Sequence, residues 1–80
     1  MQMDTVHGLI HMANQIATNM ATMRFDDHPA AVAAHIKRYW EPRMIAKIRA
    51  ADRSALSPVA LGAIEILDKA AAERAAAQAD

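Results

Sequence analysis

Cysteine is absent from this 80-residue sequence, and aromatic residues, glycine and net charge are all scarce. Without cysteine the chain has neither a disulfide framework nor a thiolate ligand for a metal site. Small domains often need such staples, because at this length folding buries only about 60% of the surface that the unfolded chain exposes. Burial against another protein is the remaining source of extra stability.

Apolar residues are numerous, but many of them are small. The chain has 23 large apolar side chains, of which only three are aromatic, and a further 20 residues are alanine. No apolar run approaches the roughly 18 residues that a membrane-spanning helix requires, and polar residues interrupt the N-terminal stretch. We therefore expect a single cytoplasmic helical domain over residues 1–80, without a membrane span.

Basic residues concentrate in one segment, although the formal net charge is zero. Segment 37–53 carries six basic residues against two acids. The basic residues are Lys37, Arg38, Arg43, Lys47, Arg49 and Arg53. A solvated surface, an acidic protein partner and nucleic-acid phosphates are three interpretations of such a cluster, and the zero net charge weakens the last of them.

The clearest helical periodicity lies in residues 4–23. Apolar residues recur there at spacings of three and four, which is typical of one face of an α-helix. They are Val6, Leu9, Ile10, Ala13, Ile16, Ala17 and Met20. Asp4 fits the N-cap of this helix, and segment 24–28 breaks the pattern and predicts a turn.

Two prolines delimit the next helices. Pro29 fits the first position of a second helix, where its missing N–H costs nothing. The apolar face of that helix consists of Val32, Ile36, Tyr39 and Trp40. Pro42 clashes with the carbonyl four residues earlier, so the helix must end or kink near Trp40. A short third helix follows, with an apolar face of Met44, Ile45, Ile48 and Ala51.

Ser57 and Pro58 form an N-cap and first-position pair, which predicts the start of a fourth helix. Its apolar residues span a broad arc of roughly 160°, so we expect two packing surfaces. The alanine-rich tail 71–80 is helical by propensity but has little to pack against, and we expect it to fray. No segment alternates apolar and polar residues as a strand does. The prediction is an all-α fold, a small hairpin or bundle of three to four helices.

His7 and His11 have the i, i+4 spacing that lets two imidazoles share a metal ion, with Asp4 one turn earlier. No further ligand motif completes the site, since His28 and His35 belong to other predicted segments. The alternative is a polar face turned towards solvent or a partner. Its members are His7, His11, Asn14 and Thr18.

Nothing in the sequence predicts catalysis. An activated nucleophile needs an oriented base in a concave site, and short helices in a chain of this size seldom form one. Ser54 and Ser57 are explained as turn and cap residues, and no glycine-rich loop is present to hold a phosphate. Trp40 has two equally good interpretations, as the main core side chain or as an interface anchor.

Two sequence blocks carry a resemblance. Residues 12–17 read Met-Ala-Asn-Gln-Ile-Ala, and residues 39–44 read Tyr-Trp-Glu-Pro-Arg-Met after His35 and Ile36. Together they resemble the delta subunit of NAD-dependent, molybdopterin-containing formate dehydrogenases, over about residues 12–67. The chain departs from that pattern in having Asn19 and Met20 instead of a phenylalanine pair, Tyr39 instead of phenylalanine, and a short loop at 52–54.

The resemblance implies a non-catalytic accessory subunit that docks on the large catalytic (alpha) subunit, with beta and gamma subunits in the same complex. Such a subunit would stabilise the complex or assist its assembly. The molybdopterin guanine dinucleotide with Mo or W, the iron–sulfur clusters, FMN and NAD would belong to other subunits, and this chain would bind none of them. The partner-binding residues implied are Asn14, Gln15, Ile16, Tyr39, Trp40, Pro42, Arg43 and Met44. The alternative is a small helical nucleic-acid-binding regulator that uses segment 37–53.

Overall fold

Four helices and no strand make up the described part of the chain, residues 5–24 and 26–78 of the computed structural model. In chain order they are α1 (Val6–Ala21), α2 (His28–Tyr39), α3 (Pro42–Ala50) and α4 (Pro58–Gln78). The prediction of an all-α fold is therefore confirmed.

Short polar side chains set the helix starts. The Thr5 hydroxyl accepts a hydrogen bond from the Gly8 N–H at 3.1 Å, which makes Thr5 the N-cap of α1. Asp4, the predicted cap, lies outside the described residues. Asp27 caps α2 by accepting from the Ala30 N–H at 3.1 Å. Pro29 consequently occupies the second helical position, one residue later than predicted, because α2 begins at residue 28.

The connection between α2 and α3 is a rigid corner of two extended residues. Trp40 has φ −92° and ψ 144°, and Glu41 has φ −69° and ψ 151°. A proline ring pushes the preceding residue out of the helical region, so Pro42 ends one helix at the corner and starts the next. The predicted break near Trp40 is confirmed.

Helix α4 contacts all three other helices, as its broad apolar arc predicts. The predicted cap at its start is confirmed, since the Ser57 hydroxyl accepts from the Ala60 N–H at 3.3 Å. The helix continues through Gln78, and residues 72–78 are exposed. Helical structure is thus confirmed for residues 71–78 of this tail, and its fraying stays a prediction.

The core is a single apolar cluster shared by the four helices. Its fully buried members are Leu9, Ala13, Ala17, Val32, Ala33, Ile36, Trp40, Ile48, Ala60, Ala63, Ile64 and Leu67. Three apolar residues that were assigned to the packed faces of α1, α2 and α4 are instead exposed. They are Val6, Tyr39 and Ile66. These faces are narrower than the sequence patterns suggest, because each helix is covered along only part of its predicted arc.

Two polar side chains, Asn14 and Asp68, hold the loop between α3 and α4 through hydrogen bonds. The Asn14 side chain donates to the Ala55 carbonyl at 2.9 Å and accepts from the Ser57 N–H at 2.8 Å. Asp68 of α4 accepts from Arg49 Nε at 2.8 Å and from Arg53 Nη1 at 2.6 Å. These contacts fix the turn through which α3 passes into α4.

Candidate functional site

A groove lies between α1 and the α2–α3 corner, with a volume of about 360 Å³. We call it the corner groove. Its lining residues are Met12, Gln15, Ile16, Asn19, His35, Tyr39, Trp40 and Met44. The volume falls within the ~300–1,000 Å³ of ligand-sized clefts, which is room for several side chains of another protein.

The corner groove brings together the two sequence blocks that carry the resemblance. Gln15 and Ile16 come from the first block, and Tyr39, Trp40 and Met44 come from the second. More than twenty residues separate the blocks in the chain, and the packing of α1 against α2 and α3 makes them neighbours. Five of the eight predicted partner-binding residues thus share one surface.

Trp40 and Tyr39 have opposite environments at this groove. Trp40 is only 6% exposed and belongs to the core, whereas Tyr39 is 66% exposed. The Tyr39 ring lies 4.7 Å from the His35 ring, and the Arg38 guanidinium carbon lies 5.7 Å from its centroid. Tyr39 therefore forms an accessible aromatic rim of the groove.

Methionine and isoleucine provide the softer part of the groove. Met12, Ile16 and Met44 are half-buried and pack against the core while they line the cleft. Unbranched methionine side chains adapt to irregular surfaces and are common where one protein accommodates another. Gln15 and Asn19 add amide groups that donate and accept hydrogen bonds. The arrangement suits an apolar contact with a polar border.

The other three predicted residues lie elsewhere. Asn14 is half-buried, and its amide oxygen and nitrogen are both used in the contacts with the α3–α4 loop. Pro42 lines a different cleft on the α4 side of the corner. The Arg43 side chain is 72% exposed, and its Nε lies 3.4 Å from a Glu41 carboxylate oxygen. Arg43 therefore stands on the open surface beside the corner.

Met12, Asn19 and His35 were not among the predicted site residues, although they line the groove. A helical signal was available for two of them, because Met12 and Asn19 lie one turn on either side of Gln15 and Ile16. His35 lies four residues before Tyr39 and was noted only as part of the second block. The direction in which α2 faces α1 was needed to include it.

Two basic side chains of segment 37–53, those of Arg49 and Arg53, are paired with Asp68 inside the molecule. Besides its ion pair with Asp68 of α4, Arg53 donates Nη2 to the carbonyl of Arg49 in α3 at 2.6 Å. The hydrogen bonds from Arg53 and Arg49 hold the pKa of Asp68 below its ordinary value of 3.8, against the opposing effect of partial burial. Two of the six cations thus support the fold, which reduces the charge available for nucleic-acid phosphates.

The histidines of α1 are exposed, as the polar-face interpretation expects. In residues 5–24 and 26–78 no group of three or more His, Cys, Asp or Glu side chains is placed to hold a metal ion. Iron–sulfur clusters require thiolates, and the sequence has no cysteine. The chain therefore supplies no thiolate ligand for the iron–sulfur clusters that the resemblance assigns to the complex.

None of the helices in the part of the chain that the structure describes is long and apolar enough to cross a membrane. The fold and the corner groove together define a small all-α domain whose characteristic residues converge on one surface cleft.

Residues 8–64, more than half of the chain, match the family described as NADH-dependent formate dehydrogenase delta subunit FdsD. The chain belongs to this family, and the resemblance inferred from the two blocks is confirmed. Neither a curated protein nor a solved structure matches the chain significantly.

Proposed function

We propose that this chain is a non-catalytic accessory subunit that docks on the large catalytic subunit of an NAD-dependent formate dehydrogenase in the cytoplasm. The corner groove is the proposed docking surface, and the bound chain stabilises the complex or assists its assembly. The beta and gamma subunits complete the complex and, with the large subunit, hold its cofactors. The observation that carries this proposal is the convergence of both family blocks on one groove.

Tyr39 and Arg43 are the proposed anchors. Tyrosine and arginine are enriched among the residues that dominate interface energies, and both side chains are exposed here. Trp40 is buried and therefore packs in the core, where it is not accessible to a partner. Of the two neighbouring aromatic residues, Tyr39 thus belongs to the proposed interface and Trp40 to the core.

A non-catalytic role agrees with the described side chains. The serines act as turn and cap residues: the Ser57 hydroxyl caps α4, and the Ser54 N–H donates to the Asp52 carboxylate at 2.9 Å. Among the described residues that line the corner groove none is acidic, and the histidine among them, His35, packs beside Tyr39. The purified chain should therefore neither oxidise formate nor reduce NAD, and turnover by the chain alone would contradict the proposal.

The decisive experiment compares co-purification of two variants with the formate dehydrogenase complex. Tyr39→Ala should weaken docking by at least about 2 kcal/mol, roughly thirtyfold. Met23→Ala is the matched control, because Met23 is 53% exposed and apolar but lies outside the corner groove. Equal retention of both variants in the complex would remove the groove from the interface.

Arg43, on the open surface beside the corner groove, provides a second test of the docking. Arg43→Ala should keep the helix content of the chain and release it from the complex, because a guanidinium forms two parallel hydrogen bonds with a carboxylate. Arg43→Lys should restore only part of the binding, since the ammonium keeps the charge and loses the paired geometry. Wild-type yield of complex with Arg43→Ala would exclude Arg43 as an anchor.

A further inference from the structure

Trp40 also lines a second cleft, formed by the C-terminal turn of α2 with α3 and α4. This cleft has a volume of about 350 Å³, within the ~300–1,000 Å³ range of ligand-sized sites. Trp40, Ile45 and Leu67 provide its apolar floor. Among the described residues, Trp40 is the one that this cleft shares with the corner groove, so the two are separate surfaces that meet at Trp40.

Among the described residues, the charged side chains at the second cleft are all basic. They are Lys37, Arg49 and Arg74, one from each of the three helices. The whole chain has equal numbers of acidic and basic residues, so this is a local separation of charge. We call the cleft the cationic groove.

Two of the three cations have no internal counter-ion. Arg49 donates Nε to Asp68, which holds its guanidinium in place at the groove. Within residues 5–24 and 26–78 neither Lys37 nor Arg74 forms an ion pair. The charges of Lys37 and Arg74 therefore lie beside an apolar floor, and a ligand that is both anionic and apolar complements them.

We propose that the cationic groove binds an acidic segment of a partner protein, in which an aliphatic side chain lies between carboxylates. The aliphatic group covers the floor between Ile45 and Leu67, and the carboxylates reach Lys37 and Arg74. Nucleic acid fits less well, because base stacking needs an accessible aromatic face and Trp40 is only 6% exposed. Its phosphates would also leave the apolar floor uncovered.

The inference does not rest on the docking of the corner groove. Its test uses the purified full-length chain and a synthetic probe peptide, acetyl-Glu-Asp-Leu-Leu-Glu-Asp-amide, whereas docking is measured by co-purification of the complex. Failure of the peptide to bind leaves the proposed function standing, and failure of Tyr39→Ala to weaken co-purification leaves the cationic groove standing.

Isothermal titration calorimetry at 10 °C in about 50 mM salt should show saturable one-to-one binding that weakens as salt rises, since partly exposed ion pairs are screened. The same peptide with Gln and Asn in place of Glu and Asp should bind at least about tenfold more weakly. Replacing both leucines by serine should also weaken binding, because the floor then stays uncovered.

Substitutions at the rim locate the site. Lys37→Gln and Arg74→Gln should each reduce the affinity about three- to tenfold, and Arg74→Lys should retain most of it. Lys69→Gln is the matched control, because Lys69 is an exposed α4 cation outside the groove. All of these positions are on the helix surface, and circular dichroism verifies that each variant keeps its helix content.

Several results would overturn the proposal. They are no saturable binding at millimolar peptide, equal binding of the Gln and Asn peptide, an effect of Lys69→Gln as large as that of Arg74→Gln, and loss of binding in Tyr39→Ala with none in Arg74→Gln. Equal or tighter binding of inorganic phosphate or of a short single-stranded oligonucleotide at the same rim residues would also overturn it, because the groove would then be a general anion site.

Discussion

The adjacent residues Tyr39 and Trp40 offer a matched pair of substitutions. Trp40→Ala removes a large core side chain and should lower the free energy of unfolding by about 3–5 kcal/mol. Tyr39→Ala removes an exposed ring and should change the free energy of unfolding by less than about 0.5 kcal/mol. Urea denaturation followed by circular dichroism measures both. If the two variants were equally stable, Trp40 would not be the core residue described above.

The helical periodicity of the sequence alone could not show that Tyr39 is exposed and Trp40 buried. In a helix that continued through residue 40, positions 36, 39 and 40 would fall within one arc, so the sequence predicts that all three side chains are packed. Their burial depends on where α1 and α4 lie along that arc, which is a tertiary contact. The sequence therefore supported both the core and the interface interpretation of Trp40, and only the packed helices assign it to the core.

Asp68 gives the chain a sensitivity to acid. Its pKa is lowered in the folded chain by the hydrogen bonds from Arg53 and Arg49, so the folded state favours the ionised carboxylate. The stabilisation is fully present above the ordinary carboxyl pKa of about 4, and it is lost as pH falls through the lower folded value. Asp68→Asn should cost no more than about 1 kcal/mol at pH 7, as for other partly exposed ion pairs.

Thermal melts between pH 7 and pH 2 measure this contribution. The wild-type Tm should fall more steeply below pH 4 than the Tm of Asp68→Asn, which has no carboxylate to protonate at that position. Asp52→Asn is the control, since the pKa of Asp52 is also lowered, by the Ser54 backbone N–H, but its side chain is in open solvent. Parallel pH profiles for wild type and Asp68→Asn would contradict the prediction.

At the scale of helices, α2 and α4 approach closely at Gly62. A Cβ atom at this position would lie 3.0 Å from Pro29 Cβ and 3.1 Å from its Cγ. The proline ring is bound to its own backbone and cannot rotate away. Alanine gains about 1 kcal/mol over glycine in helix propensity, whereas overpacking costs about 1–3 kcal/mol. Gly62→Ala should therefore destabilise the chain by about 1 kcal/mol.

The propensity term can be measured in the same helix. Glu65 is exposed three residues later, and the difference between Glu65→Ala and Glu65→Gly gives the alanine–glycine preference without the contact to Pro29. Chemical denaturation of these variants and of Gly62→Ala separates the two terms. If Gly62→Ala stabilised the chain by the full alanine–glycine preference, Pro29 of α2 would have to move away from the added Cβ atom without cost.

Element boundaries were largely predictable because caps and prolines act locally. Pro42 and Ser57 mark helix starts through the geometry of their own neighbours, and both predictions agree with the structure. The corner groove was not predictable in the same way. The groove forms only when α1 packs against α2 and α3 in one particular register. The pattern of residues along each separate helix does not specify that register.

On the scale of the whole molecule, the core is thin for a folded domain. In the part of the chain that the structure describes, five of the twelve buried core residues are alanine, which adds little apolar area. We expect the isolated chain to be partly unfolded or self-associated near physiological temperature, and to gain stability when a partner binds its folded form. Circular dichroism melts and sedimentation test this. A cooperative monomeric transition above about 65 °C would contradict it.

The position of Trp40 also has a practical consequence. It is the only tryptophan in the chain, and it forms a wall of both clefts. Selective excitation of its indole therefore yields an optical signal from a single site, without labels. Displacement of water from the ring should shift the emission maximum towards the blue, whereas unfolding should shift it towards the red. The chain thus carries its own fluorescent reporter at the place where its two surfaces meet.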